Sequence, residues 1–214
     1  MFHFRKPSDA KTAAFLQSQR PLPFRYRADL IGASSGRACD LPVTYGINHF
    51  RARLGDGEAI FDRAIAAIRQ WKMFSPEMID VYPAQPALEA GTCVALRIRA
   101  FGLWAFGACR IVYTFDGTAD DDGVAVKRFG FAYGTLPAHV EQGEERFSVQ
   151  WRRDDDSVWY DLFAFSRPGK VITWLGMPVT RYYQRHFARL SAKSMQQFVA
   201  DDHRRSVQMQ GARA

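Results

Sequence analysis

His139, Glu141, Glu144 and Glu145 stand within one short segment, just after Tyr133 and Thr135. An imidazole titrates nearer neutrality than any other side chain, so His139 could act as a general base or hold a metal. A glutamate whose pKa is raised by burial could supply the acid. His139 and Glu144 are the weak catalytic candidates on this reading, and no residue is assigned a catalytic role outright. The same carboxylates have a structural use, pairing with arginines such as Arg167 or Arg110 to pin a hairpin. Neighbours on a strand face opposite sides, so at most one of Glu144 and Glu145 enters a shared cavity. The inward one needs a partner, because an unpaired buried charge is costly.

Other patterns carry less. Gly32-Ala33-Ser34-Ser35-Gly36 matches the spacing of a hydrolase elbow, but that elbow needs a helix directly after the serine, and Asp40 and Pro42 follow in loop-like sequence. Gly55 and Gly57 resemble the start of a dinucleotide fingerprint. Ile60 occupies the third glycine's place, so a tight turn before a helix explains them. Cys39, Cys93 and Cys109 are odd in number and lack C-x-x-C spacing. They read as reduced thiols, which points to the cytoplasm. No cofactor and no metal is expected.

The net charge of +7 invites polyanions, yet the arginines are scattered and no nucleic-acid motif accompanies them, so no specific nucleic acid is expected as partner. The longest apolar run, Ala100 to Cys109, is far short of the roughly 20 residues a transmembrane helix needs. Met1 to Lys6 is charged with no apolar core after it, so a secretory signal is not expected.

These side chains are positioned by elements legible from periodicity. Ser8 caps a short helix that Pro21 and Pro23 stop, and Ile31 to Pro42 is loop. Thr44 to Leu54 reads as a strand. Phe61, Ala64, Ile65, Ile68 and Trp71 then mark a helix, with Asp56 as its cap. Period-two strands follow: Met78 to Tyr82; Val94, Leu96 and Ile98; Cys109, Ile111, Tyr113 and Phe115, ending at Asp116-Gly117. Phe129, Phe131, Tyr133 and Thr135 make the next, then Phe147, Val149 and Trp151, then Val158 to Ser166. A helix from Pro178 to Asp202 closes the chain. It sets Tyr183, Phe187, Leu190, Ser194 and Phe198 on one face and Arg181, Arg185, Arg189 and Lys193 on the other. The expected domains are an N-terminal extension over 1–41, a helix-grip domain over 42–203 and a disordered tail over 204–214.

The segment Gly130 to Phe147, GFAYGTLPAHVEQGEERF, resembles the signature of the family catalogued as domain of unknown function nineteen-ninety, within the START and birch-pollen-allergen-like superfamily. Leu54-Gly55-Asp56-Gly57, Trp71, Arg110-Ile111-Val112-Tyr113, Phe165-Ser166-Arg167-Pro168, Arg181 and Gln184 extend the resemblance. Ala138 and Val140 depart from its expected Gly and Pro. The resemblance implies an α+β helix-grip fold, in which a curved antiparallel sheet of about seven strands wraps around a long C-terminal helix. It brings no activity with it, although superfamily members bind lipids, sterols or polyketides and some are enzymes.

The expected function is therefore to hold an apolar or amphipathic small molecule between sheet and C-terminal helix. Ile111, Tyr113, Phe129, Phe131, Tyr133, Phe147, Val149 and Phe187 would form the wall, with Thr135, His139 and Glu144 orienting the ligand at one end. The alternatives are a cyclase, dehydratase or hydrolase using His139 and Glu144, and an interaction module with a filled core. Oligomeric state is left open.

Overall fold

The computed structural model describes residues 2–36, 40–121, 123–169 and 177–211, and Cys39 lies outside them. Strand β1 is Phe2–His3 and helix α1 is Asp9–Gln19. Ser8 caps α1 as expected, its hydroxyl accepting from the Lys11 N–H. The remaining strands are β2 (Gly46–Asp56), β3 (Ile79–Tyr82), β4 (Cys93–Ala100), β5 (Leu103–Asp121), β6 (Val124–Thr135), β7 (Glu141–Arg152) and β8 (Ser157–Pro168). Helix α2 (Glu58–Arg69) follows β2, and α3 (Met177–Gly211) follows β8.

All neighbouring strands are antiparallel, in the order β2-β8-β7-β6-β5-β4-β3. Strands β3 to β8 form a meander, and β2 closes it by pairing with the last strand. β1 pairs with β5 at Ala105 and Trp104, beyond the point where β6 ends. The sheet curves around the helices in a helix-grip fold.

Two local expectations fail for physical reasons. Asp116-Gly117 does not reverse the chain. Val124 to Phe129 offers a continuous partner, so β5 runs on to Asp121 in register with β6. Asp56 does not cap α2 either. Gly57 is the cap residue, with no side-chain bond, and Asp56 pairs with Arg53 at 2.5 Å.

The concave face buries Val94, Leu96, Ile111, Phe131, Tyr133, Phe147, Val149, Tyr160 and Leu162 in one core. The terminal helix alone does not cover it. α2 lies against β7, β6 and β2, and α3 packs on α2 and β2. The buried stripe of α3 is Ala188, Ser191, Ala192, Met195 and Val199, with Phe187 and Phe198 only partly buried beside it. Small residues at the centre let the two helices approach closely, and the aromatics fill the flanks. Arg185, Arg189 and Lys193 are exposed, as expected; the Arg181 side chain lies outside the described residues. No helix among the described residues is long and apolar enough to cross a membrane.

The convex face carries a second cluster, Tyr26, Leu30, Leu41, Tyr45, Phe163 and Phe165, formed where the N-terminal segment crosses the sheet. Close approach between β7 and β8 depends on Gly143, with φ of 157°. A Cβ there would lie 1.9 Å from the Phe165 carbonyl oxygen. Gly143→Ala is expected to cost about 3 kcal/mol or more, because backbone and not a flexible side chain must move. Urea denaturation of the variant checks this.

Candidate functional site

Strand parity decides which of the singled-out residues meet. Ile111, Phe131, Tyr133, Phe147 and Val149 all project into the concave core. Tyr133 lies opposite Ile111 on one side and Glu145 on the other, so Glu145 shares its face. The Tyr133 hydroxyl donates to Glu145 Oε2 at 2.6 Å. Four residues away along β7, on the same face, Glu141 Oε1 accepts from Gln184 Nε2 at 2.9 Å. The same nitrogen reaches Ser166 Oγ at 3.0 Å, which ties α3 to the end of β8. Thr135, two residues beyond Tyr133, is buried and accepts from the Gly143 N–H at 3.1 Å.

His139 sits in the connection between β6 and β7 and folds over the same end of the concave face. A Cβ on Gly107 would lie 2.7 Å from His139 Cδ2, and Gly107 pairs with the core residue Leu96. The absent side chain at Gly107 is what admits the imidazole. The Glu141 N–H donates to His139 Nδ1 at 3.1 Å, so the ring proton resides on Nε2. Arg25 holds the segment from outside, donating to the carbonyls of Pro137 and His139.

Two expected members are missing from this group. Glu144 faces the opposite side of the sheet, because Phe147 and Val149 face inward and residue 144 has the other parity. It is nearly fully buried beneath the N-terminal segment. There it accepts from the Tyr26 hydroxyl (2.6 Å), the Gly32 N–H (2.6 Å), the Ser34 N–H (3.2 Å) and the Ser34 hydroxyl (2.7 Å). Tyr113 is also on that side, with its hydroxyl 2.7 Å from Ser34 Oγ. A β-bulge between Ile111 and Tyr113 shifts the register by one residue and reverses the face of all that follows in β5. Ser34, the centre of the elbow-like glycine pattern, is thus a clasp on Glu144. Arg167 and Arg110 do not pair with the glutamates: Arg167 bonds Gln142, and Arg110 bonds the carbonyls of Arg20 and Leu22.

The wall residues also divide. Phe131, Tyr133 and Phe147 are closed over by the turn after α2, where the Trp71 ring lies tilted 4.8 Å from that of Phe131 and the Phe74 ring meets that of Phe147 edge-on at 5.4 Å. Phe129 lies at the far rim, lining a cleft of about 410 Å³ with Arg69, Leu88 and Thr114. Val149 opposes Phe129, is fully buried, and lies remote from the polar end. By contrast, Glu141, Glu145, Ala164, Ser166, Gln184, Phe187 and Ile98 are all partly exposed. The part of the concave face that is less fully buried is this end, beside α3 at Gln184 and Phe187.

The electrostatics there are unusual. Burial raises the Glu145 carboxyl to about 8; the Tyr133 hydrogen bond pulls it down and Glu141 pushes it up. Burial raises Glu141 as well, against the bonds from Gln184 and Ser166. His139 is lowered to about 4, chiefly by burial and further by Arg25, so it is neutral at pH 7. With Nδ1 occupied and Nε2 protonated, His139 is a hydrogen-bond donor and not a base. The His139–Glu144 acid–base pair does not form. Among the described residues no group of three or more potential ligands is arranged to hold a metal ion.

Glu145 and Glu141 were reachable from sequence. Once Phe147 and Val149 are placed inward, period two puts 145 and 141 inward and 144 outward. Gln184 carried no signal beyond its place in the family-like pattern.

Comparison with known proteins places the chain. A UPF0548 protein of Dictyostelium discoideum is 34% identical over 207 residues, covering 91% of this chain and 94% of the relative. A UPF0548 protein of Deinococcus radiodurans is 33% identical over 205 residues, covering 91% and 97%. The crystal structure of Ara h 8.0201 aligns with a TM-score of 0.43 at 10% identity, over 73% of this chain and 99% of that one. Residues 27–194 match the family described as "Domain of unknown function (DUF1990)", and with those relatives the match shows that the chain belongs to this family.

Proposed function

We propose that the protein binds an amphipathic small molecule at the polar end of the concave face, its apolar body against Phe187, Ile98 and Ala164 and its head at Glu145. The observation that supports this reading is the Glu145 carboxyl, bonded to the buried Tyr133 hydroxyl and lying among partly exposed residues at the end of an otherwise closed core. Such a carboxyl is costly to bury for stability alone, and no described residue bonds its Oε1. A largely protonated Glu145 offers one donor and one acceptor, and the neutral His139 adds a donor. The head they suit is a hydroxyl or an amide, while an ammonium suits Glu145 in its ionised form. A carboxylate head would meet Glu141 and Glu145 with no cation among the described residues at hand.

The alternative of an enzyme built on His139 and Glu144 is set aside by the opposite faces of the two residues. Free thiols at Cys93 and Cys109 suit a reducing compartment such as the cytoplasm.

Calorimetric titration with dodecanol, dodecylamine and dodecanoate near pH 7 tests the reading. Burying about 300 Å² of ligand gives at most roughly 7 kcal/mol, so micromolar affinity or weaker is expected for the alcohol and the amine. Dodecanoate is expected to bind at least about tenfold more weakly, and Phe187→Ser to weaken all three. Equal affinity for all three heads, unchanged by Phe187→Ser, would contradict the site.

A further inference from the structure

The basic stripe of α3 and the most exposed aromatics of the molecule meet at one end of the sheet. The turn between β4 and β5 is Phe101-Gly102, with φ of 52° and 76°. A bulky residue is disfavoured in that left-handed conformation, which Asn or Gly adopts readily. The turn nevertheless holds Phe101 at the tip, 64% exposed. Its ring lies 4.8 Å from Tyr183 at the start of α3, and Tyr182 beside it is 63% exposed. β1 pairs His3 with Trp104, so the chain leaves that pair towards the same tip, and Phe4 is 90% exposed.

The charge around this tip is predominantly basic. Asp80 on β3 is held by Lys6 and Arg97, and Glu77, next to the Met78 carbonyl that accepts from the Arg99 N–H, is the exposed acidic residue on β3's side. Residues 1–8, 93–111 and 177–200 contain arginine and lysine but no aspartate or glutamate. On α3, Tyr182, Arg185, His186, Arg189 and Lys193 fall within about 60° of one line on the helical wheel. Tyr182 stacks on His186 with centroids 5.9 Å apart. Arg185, Arg189 and Lys193 are exposed, and no described acidic residue pairs with them. Lys6 is committed to Asp80 at 2.8 Å and is not counted among the free charges. Arg99 is exposed beside Trp104, its guanidinium 6.0 Å from the indole centroid.

We infer that the β4–β5 turn and the outer face of α3 form a docking surface for an anionic lipid bilayer, with Phe101, Phe4 and Tyr182 entering the interface and the α3 basic residues meeting lipid phosphates. Exposed aromatics at protruding tips, ringed by basic side chains, suit the interfacial zone of a membrane. Nucleic-acid backbones would use the same cations but would leave Phe101 and Phe4 without a role. The inference rests on exposure and charge and stands apart from the ligand reading. It has one consequence for that reading: α3's first turns border both the tip and the polar end, so docking turns this end towards the lipid.

Co-sedimentation of the full chain with vesicles tests it. Binding is expected to vesicles containing about one third phosphatidylglycerol, and not to pure phosphatidylcholine, at about 0.1 M salt. Neutralising Arg185, Arg189 and Lys193 to glutamine should weaken binding on the order of a hundredfold. Phe101→Asn, which keeps the left-handed turn, and separately Tyr182→Ser should each weaken it about tenfold, with thermal unfolding unchanged. Absence of binding to the anionic vesicles overturns the proposal. So does binding that both aromatic variants retain in full and that random-sequence duplex DNA reproduces, which would mark simple attraction to polyanions.

Discussion

Glu145→Gln is expected to make the protein more stable above pH 8, with an advantage that shrinks to below about 1 kcal/mol near pH 5. In the folded state burial raises this carboxyl to about 8, against an ordinary value of 4.5. Below pH 4.5 both folded and unfolded chains carry the proton. As the pH rises from there, the unfolded chain ionises first. Each unit then favours unfolding by about 1.4 kcal/mol, until the folded carboxyl also ionises near pH 8. The full penalty is on the order of 5 kcal/mol and is complete at mildly alkaline pH. Glutamine cannot ionise, and its amide oxygen can still accept from the Tyr133 hydroxyl. Urea midpoints at about pH 5, 6.5 and 8.5 should therefore diverge between wild type and variant as the pH rises. A residual slope of the same sign remains in the variant, because burial raises Glu141 too. Parallel pH profiles would place Glu145 in water and away from Tyr133.

The neighbouring glutamate should behave in the opposite way. Glu144→Ala removes the acceptor of four hydrogen bonds and leaves the Tyr26 hydroxyl and the Gly32 and Ser34 N–H groups buried without a partner. Loss of a buried charged acceptor of this kind costs on the order of 3–5 kcal/mol. The loss is local as well as global. The segment around Tyr26 to Ser34 is held to the convex face by this carboxylate, by the Arg146 bond to the Ser34 carbonyl, and by the cluster around Phe165. Hydrogen exchange should show the Gly32 and Ser34 amides losing protection well before the β6–β7 core. If Glu144→Ala were tolerated with those amides still protected, the clasp would not be what holds the segment.

That two adjacent glutamates have opposite consequences is the part of the site that alternation made legible. Counting inward from Phe147 and Val149 reaches Glu145 and Glu141, and it sends Glu144 to the far side. The wall on β6, from Phe129 to Tyr133, was legible for the same reason, since that strand runs without a break in register. Tyr113 was not legible. A one-residue bulge leaves no mark in the hydrophobic pattern of β5, where Val112 and Tyr113 are equally suited to either face. The true end of β5 was hidden as well, because Asp116-Gly117 is a local turn signal that long-range pairing with β6 overrides.

The cover of the core was half visible. The apolar spacing of Phe61, Ala64, Ile68 and Trp71 announced α2, but which helix lies over the sheet's centre is a matter of topology. The large residues of α3 attract attention, yet its buried stripe is built from alanines, a serine, a methionine and a valine. Close helix–helix contact selects small side chains, and a hydrophobicity pattern underrates them. His139 was visible as a candidate and its tautomer was not, since the bond from the Glu141 N–H depends on how residues 136–140 turn back over Gly107.

Native mass spectrometry of the protein purified from its own host, followed by extraction and identification of whatever it carries, tests ligand binding at the Glu145 end most directly. The expected result is a reproducible adduct with an apolar body and a hydroxyl, amide or amine head, retained in Glu144→Gln and lost in a folded Phe187→Ser variant. An adduct that survives Phe187→Ser, or a protein that emerges bare and takes up none of the dodecyl probes, would contradict it.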